Sequence, residues 1–326
     1  MIVTLTPNPS LDRTIEVPTL RVGEVNRANG GRVDAGGKGV NVSRALAANG
    51  HATVAVLPAG GVAAAQFGRL LADAGVDHEF IDLPGAVRTN ITLVEDDGTT
   101  TKVNEAGRAA GAHEVTAMLD AAQARSVGAA WVVGCGSLPP GVGAELYAGL
   151  VERARQAGAQ VAIDTSGTAL SDAVTHRPDL IKPNHEELQE LVGIELGTVG
   201  DVIAAARQIV RGGVGTVVVS LGEHGAVAVD AHGAAHAHAR VTKPESTVGA
   251  GDCLLAGFLA ATHAGAAMPD ALAIGVRWGA AAVGLPGSRV PGPADLKRVL
   301  VTRSTDLPVD IRLTTHVALV APETEG

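Results

Sequence analysis

The residues best suited to chemistry lie in one short stretch, Ser246-Thr247-Val248-Gly249-Ala250-Gly251-Asp252, followed by the apolar run Cys253–His263. Two glycines and an alanine ahead of a helix let the backbone approach a ligand closely. The N–H groups of the first helical turn have no partner within the helix, and the positive end of its dipole stands behind them. That is a cradle for an anion. An aspartate there can simply stabilise the dipole. Beside a bound phosphoryl group it can also take the proton of an attacking hydroxyl, while the N–H groups offset the charge that develops. The segment therefore points to phosphoryl transfer and leaves the acceptor open.

A second glycine-rich stretch, Asp34-Ala35-Gly36-Gly37-Lys38-Gly39-Val40-Asn41-Val42, opens another helix. Lysine is scarce in this chain (Lys38, Lys102, Lys182, Lys243 and Lys297), so one in a glycine-rich turn is a candidate anion ligand. Asn41 adds a donor and an acceptor. This is not a Walker A loop, because Gly39 follows Lys38 where serine or threonine is needed. It is not a dinucleotide fingerprint either. Gly134-Cys135-Gly136 supplies a G-x-G, but Pro139 falls where the third glycine belongs, which argues against nicotinamide-dependent oxidoreduction.

Composition narrows the partners. Of 326 residues, 42 are glycine without a collagen period and only six are aromatic, which excludes collagen and a base-stacking nucleic-acid platform. The net charge of −9, with no basic run, argues against binding a phosphate backbone. Cys135 and Cys253 make neither a disulfide framework nor a CxxC metal pair, and are expected reduced and buried. The N-terminal MIVTLT lacks the features of a leader and no window is apolar enough to span a bilayer, so a soluble cytoplasmic protein without a membrane partner is expected. His232, His236 and His238 have no carboxylates at metal-ligand spacing, and Ala231–Ala239 is expected as an exposed β-turn with chance histidines.

The elements that must position these residues alternate. Strands are expected at Ile2–Thr6, Thr53–Leu57, Ala130–Val133, Val161–Asp164, Leu180–Lys182 and Thr216–Ser220, several of them continuously apolar, as in strands covered on both faces. Helices are expected at Gly39–Asn49, Ala63–Ala74, His113–Arg125, Gly143–Ala157, His185–Val192 and Val202–Arg211. Such alternation implies right-handed crossovers and a mainly parallel sheet. Asp12–Val33 and Val87–Glu105 break the pattern with polar alternation and a turn at Asp97-Gly98, and read as antiparallel hairpins outside the main sheet. From Leu307 onward, with Pro308 and Pro322, an extended tail is expected.

Taken together, Gly36-Gly37-Lys38-Gly39-Val40-Asn41 and Thr247-Val248-Gly249-Ala250-Gly251-Asp252 resemble the paired motifs of the ribokinase-like (PfkB) carbohydrate kinases. Intermediate signatures follow in order: Thr6-Pro7-Asn8-Pro9-Ser10-Leu11-Asp12, Gly136-Ser137-Leu138-Pro139-Pro140-Gly141, Asp164-Thr165-Ser166-Gly167, Lys182-Pro183-Asn184 and Ser220-Leu221-Gly222. The resemblance covers roughly residues 1–300. It implies an α/β protein with a three-layer α/β/α ribokinase-like fold, a mainly parallel central sheet and a small β-sheet lid. Residues 1–326 are then one kinase domain, with lid segments at about 12–33 and 87–105 inserted in it. A homodimer through the lid is the expected assembly.

The resemblance also implies roles. Asp252 matches the family's catalytic base, and Gly249, Ala250 and Gly251 its anion hole. Asn184 and Glu187 match the Asn-x-x-Glu element that organises Mg²⁺ and the ATP phosphates, with Glu187 acting on the metal indirectly. Lys182, Ser220, Gly222 and Gly225 match the ATP side; with so few rings in the chain, adenine is expected between aliphatic side chains and backbone. Asp12, Gly37, Lys38 and Asn41 match the sugar side, and Arg88 of Arg88-Thr89-Asn90 a substrate-phosphate arginine. The branch that fits best is the 1-phosphofructokinases, which phosphorylate fructose 1-phosphate to fructose 1,6-bisphosphate. Lys38 and Glu24 stand where 6-phosphofructokinase relatives tend to carry glycine and a basic residue; tagatose-6-phosphate kinases share the lysine. Cys253 replaces the serine common after the catalytic aspartate. A phosphosugar kinase of another preference and a catalytically silent sugar-phosphate sensor are the alternatives.

Overall fold

The computed structural model of the chain describes residues 1–83, 87–304 and 306–313. Hydrophobic β-branched runs form the centre of a ten-stranded sheet. Seven strands are mutually parallel: β1 (Ile2–Leu5), β4 (Thr53–Pro58), β5 (Asp77–Ile81), β8 (Trp131–Cys135), β9 (Gln160–Asp164), β10 (Leu180–Ile181) and β11 (Thr216–Ser220). Three antiparallel strands extend one edge, β12 (Ala226–Asp230), β13 (Gly233–Ala239) and β14 (Val301–Ser304). The order across the sheet is β14-β13-β12-β11-β10-β9-β8-β1-β4-β5.

Two helical layers cover it. On one face α3 (Ala112–Ser126), α4 (Glu145–Gln156), α5 (Gly167–Thr175), α6 (His185–Val192) and α7 (Val199–Arg211) share a core with Val3, Leu5, Val161 and Ile163. On the other, α1 (Lys38–Ala48), α8 (Ala250–His263) and α9 (Met268–Val283) pack on Ile2, Val133 and Ala162. There α2 (Gly61–Asp73) lays Phe67 and Leu71 against Ala55 and Leu57, and a single turn, α10 (Pro293–Leu296), follows α9. Successive residues of β1 thus serve opposite cores, the period-two consequence of a strand buried on both faces. This is the expected three-layer α/β/α fold. Among the described residues no helix is long and apolar enough to cross a membrane.

The lid is a separate four-stranded sheet in the order β3-β2-β6-β7, built from β2 (Ser10–Val17), β3 (Gly30–Gly36), β6 (Arg88–Glu95) and β7 (Thr100–Asn104). Both hairpins are antiparallel, and β2 and β6 join them by parallel pairing, Asp12 opposite Asn90. The polar alternation located these segments but not that junction, which depends on a partner far along the chain.

Two expectations are corrected. Ala231–Ala239 is not an exposed turn. Only the Asp230–Gly233 corner is one, with Asp230 Oδ1 accepting from His232 N and Gly233 N. The rest is β13, and His236 is buried with Nε2 2.8 Å from the His224 carbonyl. Alanine and histidine are weak strand formers; pairing with β12 imposes the conformation. The tail is not simply extended either. Val199 N donates to Ile311 O, Gly200 N to Val309 O, and Leu313 N to Gly197 O, so residues 309–313 strap the start of α7. The remainder of that expected tail, Pro322 included, lies outside the described residues.

Candidate active site

The C-terminal ends of the parallel strands face the N-termini of α1, α6 and α8, the place where open parallel sheets bind ligands. At α8 the helix starts from Gly249, whose φ of 76° is left-handed and suits a residue without a side chain. Asp252 lies in the first turn, 6% exposed. Its Oδ2 accepts a 2.9 Å hydrogen bond from Asn41 Nδ2 of α1. Its Oδ1 carries no hydrogen bond among the described residues.

A second carboxylate stands close by. Asp164, fully buried at the end of β9, has Oδ1 2.9 Å from Lys38 Nζ and Oδ2 3.1 Å from Lys182 Nζ. Lys38 also reaches Glu187 Oε1 at 3.7 Å. A Cβ on Gly251 would sit 3.2 Å from Lys182 Nζ, so the ammonium borders the anion cradle. Both lysines are thus already paired with a carboxylate, and Lys182 stands beside the candidate cradle.

These neighbours separate the two acids. Burial opposes the charge on Asp164, but Lys182 and Lys38 overcome it and hold its carboxyl below the ordinary range. Burial, reinforced by the Asp164 charge, raises Asp252 to about 6 despite Lys38, the Asn41 hydrogen bond and Lys182. Burial also acts against the Lys38 ammonium, yet Asp164 and Glu187 hold its proton more tightly than in an ordinary lysine. Environments that drive two carboxyls apart mark one as permanent anion and the other as the group that exchanges protons. A base must be ionised to accept a proton. The acid limb of kcat/KM is therefore expected near pH 6, activity falling below it; a limb at the ordinary aspartate value would contradict this.

Asn184 caps α6: its Oδ1 accepts from Glu187 N at 2.7 Å, and Glu187 Oε2 accepts from Asn184 N at 2.8 Å. The capping box turns Glu187 towards Lys38, although Glu186 and Glu187 read in isolation as a solvated face. Asn184 bridges in parallel to Ser220 at the end of β11, and Gly222 and Gly225 flank the tight turn into β12. Among the described residues no three His, Cys, Asp or Glu side chains are grouped to hold a metal ion. Magnesium keeps several waters and leans on substrate phosphates, so it needs no such group; Glu187, partly exposed beside Lys38, is the carboxylate that would act on it indirectly.

At the root of the lid, Asp12 Oδ1 accepts from Ser10 Oγ at 2.7 Å and Asn90 Nδ2 at 2.9 Å. Burial raises its carboxyl above the ordinary range, these hydrogen bonds opposing. A Cβ on Gly36 would collide with the Asp12 carboxylate, so glycine lets that carboxylate lie against the Gly36-Gly37 turn. Arg88 is half-buried rather than a free surface arginine. Its Nε donates to Asn8 O at 3.2 Å and one Nη to Glu105 O at 3.0 Å. With Arg108 it lines a cleft closed by Asn8, Pro58, Leu83 and Pro139.

The structure therefore gathers Asp252, Gly249–Gly251, Asn41, Lys38, Lys182, Asn184 and Glu187 into one cluster, with Ser220 adjoining it. Asp12 and Gly37 border the lid root, and Arg88 lines the cleft beneath the lid. Sequence reasoning assigned no role to Asp164, although it stands in a quoted motif, nor to Asn8, Arg44 or Arg108. A lone arginine or buried aspartate carries no local signal of its partners.

Comparison with known proteins identifies the family. The model of the pfkB family carbohydrate kinases matches residues 6–295. A 1-phosphofructokinase of Rhodobacter capsulatus is 40% identical over 297 residues, covering 90% of this chain and 94% of the relative. The ATP-dependent 6-phosphofructokinase isozyme 2 of Escherichia coli K12 is 34% identical over 301 residues, 91% and 97% of the two chains. Phosphofructokinase-2 from Escherichia coli, solved with substrates and products, superposes with a TM-score of 0.86 at 34% identity over 91% of this chain and 97% of that one. An Arabidopsis thaliana ribokinase shares the fold, with a TM-score of 0.73 at 20% identity, over 91% and 97% of the chains. A glycine-rich start to α8, a buried acid in its first turn and a family match across most of the chain have one reading: the protein belongs to the pfkB family of carbohydrate kinases.

Proposed function

We propose that the protein transfers the γ-phosphoryl group of MgATP to the C6 hydroxyl of fructose 1-phosphate, giving fructose 1,6-bisphosphate and ADP. The observation that carries the reading is Asp252, anchored at Oδ2 by Asn41 and, among the described residues, unbonded at Oδ1, beside the Gly249–Gly251 amides. The C6 oxygen attacks the γ-phosphorus as its proton passes to Asp252 Oδ1. The bond to the β–γ bridging oxygen breaks and ADP leaves with that oxygen. The Gly249, Ala250 and Gly251 backbone and the Lys38 and Lys182 ammonium groups meet the charge of the transferring group. Asn184, Ser220, Gly222 and Gly225 seat the nucleotide. Magnesium, when bound, neutralises phosphate charge, with Glu187 acting through water. Asp12 and Asn41 face the sugar hydroxyls beside Gly37, and lid closure excludes water from the reacting group.

Arg88 supplies the charge for the substrate's own phosphate at the cleft beneath the lid. Charge-assisted hydrogen bonds contribute about 1.5–3 kcal/mol each. Arg88→Ala is therefore expected to lower kcat/KM for fructose 1-phosphate by about 10- to 100-fold, with no comparable loss on unphosphorylated fructose. Equal losses on both sugars would remove Arg88 from that role.

The identity to 1-phosphofructokinases and the presence of Lys38 and Glu24 favour fructose 1-phosphate. The 6-phosphofructokinase relatives support fructose 6-phosphate as the second reading. A coupled ADP assay across fructose 1-phosphate, fructose 6-phosphate, tagatose 6-phosphate, fructose and adenosine separates them. Highest kcat/KM on any sugar but the first overturns the assignment, and no ADP release from any makes the protein a sensor. A homodimer through the lid accords with the exposed edge strand β7 and with Val22, Val25 and Val103 open to solvent. Two free, buried cysteines accord with a cytoplasmic setting.

A further inference from the structure

Arg44, on α1 one turn after Asn41, has no part in the chemistry described so far. Its side chain is only 11% exposed and lies where three segments meet. One guanidinium nitrogen, Nη1, lies 3.2 Å from each of three acceptors: Asn41 Oδ1, the Ala35 carbonyl of lid strand β3, and the Ser288 carbonyl after α9. Nη2 lies 3.8 Å from Asp34 Oδ1, also on β3. Asp34 in turn accepts from Arg32 Nε at 2.8 Å, and Arg32 donates to Pro286 O at 3.0 Å.

The consequence for the base lies in the asymmetry of an amide. Asn41 can present either its oxygen or its nitrogen to Asp252, and the two differ by a half-turn of the side-chain amide. With Arg44 in place, Oδ1 faces a donor and Nδ2 faces the Asp252 carboxylate, so both contacts are satisfied. After a half-turn, Nδ2 would face the guanidinium and Oδ1 the carboxylate, donor against donor and acceptor against acceptor. A buried mismatch of this kind is strongly disfavoured. Arg44 thus reinforces the amide orientation that the Asp252 carboxylate itself requires, and so holds the donor at Asp252 Oδ2.

We propose that Arg44 is a positioning residue that locks the Asn41 amide towards Asp252 and makes that lock depend on the seating of lid strand β3. A displaced β3 withdraws the Ala35 carbonyl and Asp34, two of the groups that fix the guanidinium. The base is then fully set only when the lid is seated. The inference rests on Asp252 being the base.

The test compares Arg44→Met, Asn41→Ala, their double variant and Asp252→Asn in the full-length protein. Arg44→Met is expected to lower kcat by about 10- to 100-fold, the cost of a misplaced catalytic group, with both KM values little changed. The charged groups facing Asp252 are Asp164, Lys38 and Lys182, with the Cys253 thiol adjoining, and the substitution leaves all of them in place. The hydrogen bond from Asn41 favours the ionised carboxyl, so its loss moves the acid limb of kcat/KM to higher pH. The double variant is expected to be no slower than Asn41→Ala alone, because residues acting through one contact are not additive. Guanidinium added to Arg44→Ala is expected to restore kcat without altering KM. Should Arg44→Met fail to fold, Arg44→Lys decides by the same kcat and limb readouts: it keeps the charge but not the planar fork, and is expected to fall between the two. Multiplicative losses in the double variant, or an unmoved limb in Arg44→Met and Arg44→Lys, overturn the proposal. If Asp252→Asn keeps normal turnover, the reading of the base fails instead, whatever Arg44 does.

Discussion

Asp252→Asn is expected to lower kcat by about 10³-fold, within the range of general-base catalysis, with ATP affinity unchanged. Asparagine is close to isosteric, and at Oδ2 the Asn41 amide still meets an acceptor if the new amide turns its oxygen that way. What disappears is the lone pair that, in the proposed mechanism, accepts the C6 proton. The anion cradle remains, because the Gly249–Gly251 amides belong to the backbone. Single-turnover kinetics with isotopically labelled ATP, together with nucleotide titration, measure the two effects separately. Near-normal turnover with intact ATP binding would remove Asp252 from the base role. A simultaneous loss of ATP binding would mean that the residue shapes the cradle rather than the proton transfer.

The second large effect is expected at Lys38. This lysine pairs with Asp164 at 2.9 Å and is one of the charges that hold the Asp252 carboxyl down. In Lys38→Met, Asp164 keeps only Lys182, and the Asp252 carboxyl moves above its present value of about 6. The sign follows directly: loss of a neighbouring cation favours the protonated carboxyl, so the acid limb shifts to higher pH and less base is available at neutrality. Loss of a cation facing the transferring group adds to this, and kcat near pH 7 is expected to fall by about 10²-fold or more. Lys38→Arg keeps the charge and is expected to retain the limb near its original position. A drop in kcat with an unmoved limb would restrict Lys38 to the phosphoryl group. Breaking a buried ion pair also destabilises, so thermal melts accompany the kinetics.

Local patterns revealed much of this protein because several of its signals lie within a few residues. The two-sided strands announce themselves through apolar runs such as Val217–Val219 within Thr216–Ser220, a strand the structure reproduces. The α8 cradle is legible because glycines, a helix start and an acid are consecutive. The misses share a cause. Strand β13 is alanine and histidine, and becomes a strand only through pairing with β12 and β14. The lid hairpins were visible, whereas the parallel pairing of β2 and β6 that makes them one sheet was not.

By itself the sequence determined the alternating α/β class, the glycine-rich helix start at Gly249–Gly251 proposed as a phosphate cradle, the candidate base Asp252 and the family resemblance. Only the tertiary structure decided how the charges divide. Asp164 and Asp252 are both aspartates in glycine-containing motifs, and nothing local distinguishes an acid held ionised from one raised to about 6. The difference arises from Lys38 and Lys182, which meet Asp164 at the ends of β9 and β10 and the start of α1. It arises too from Asn41, whose amide the fold turns towards Asp252. Electrostatic interactions inside a protein depend on distance and burial rather than on order along the chain, so the roles of these residues came into being with the fold.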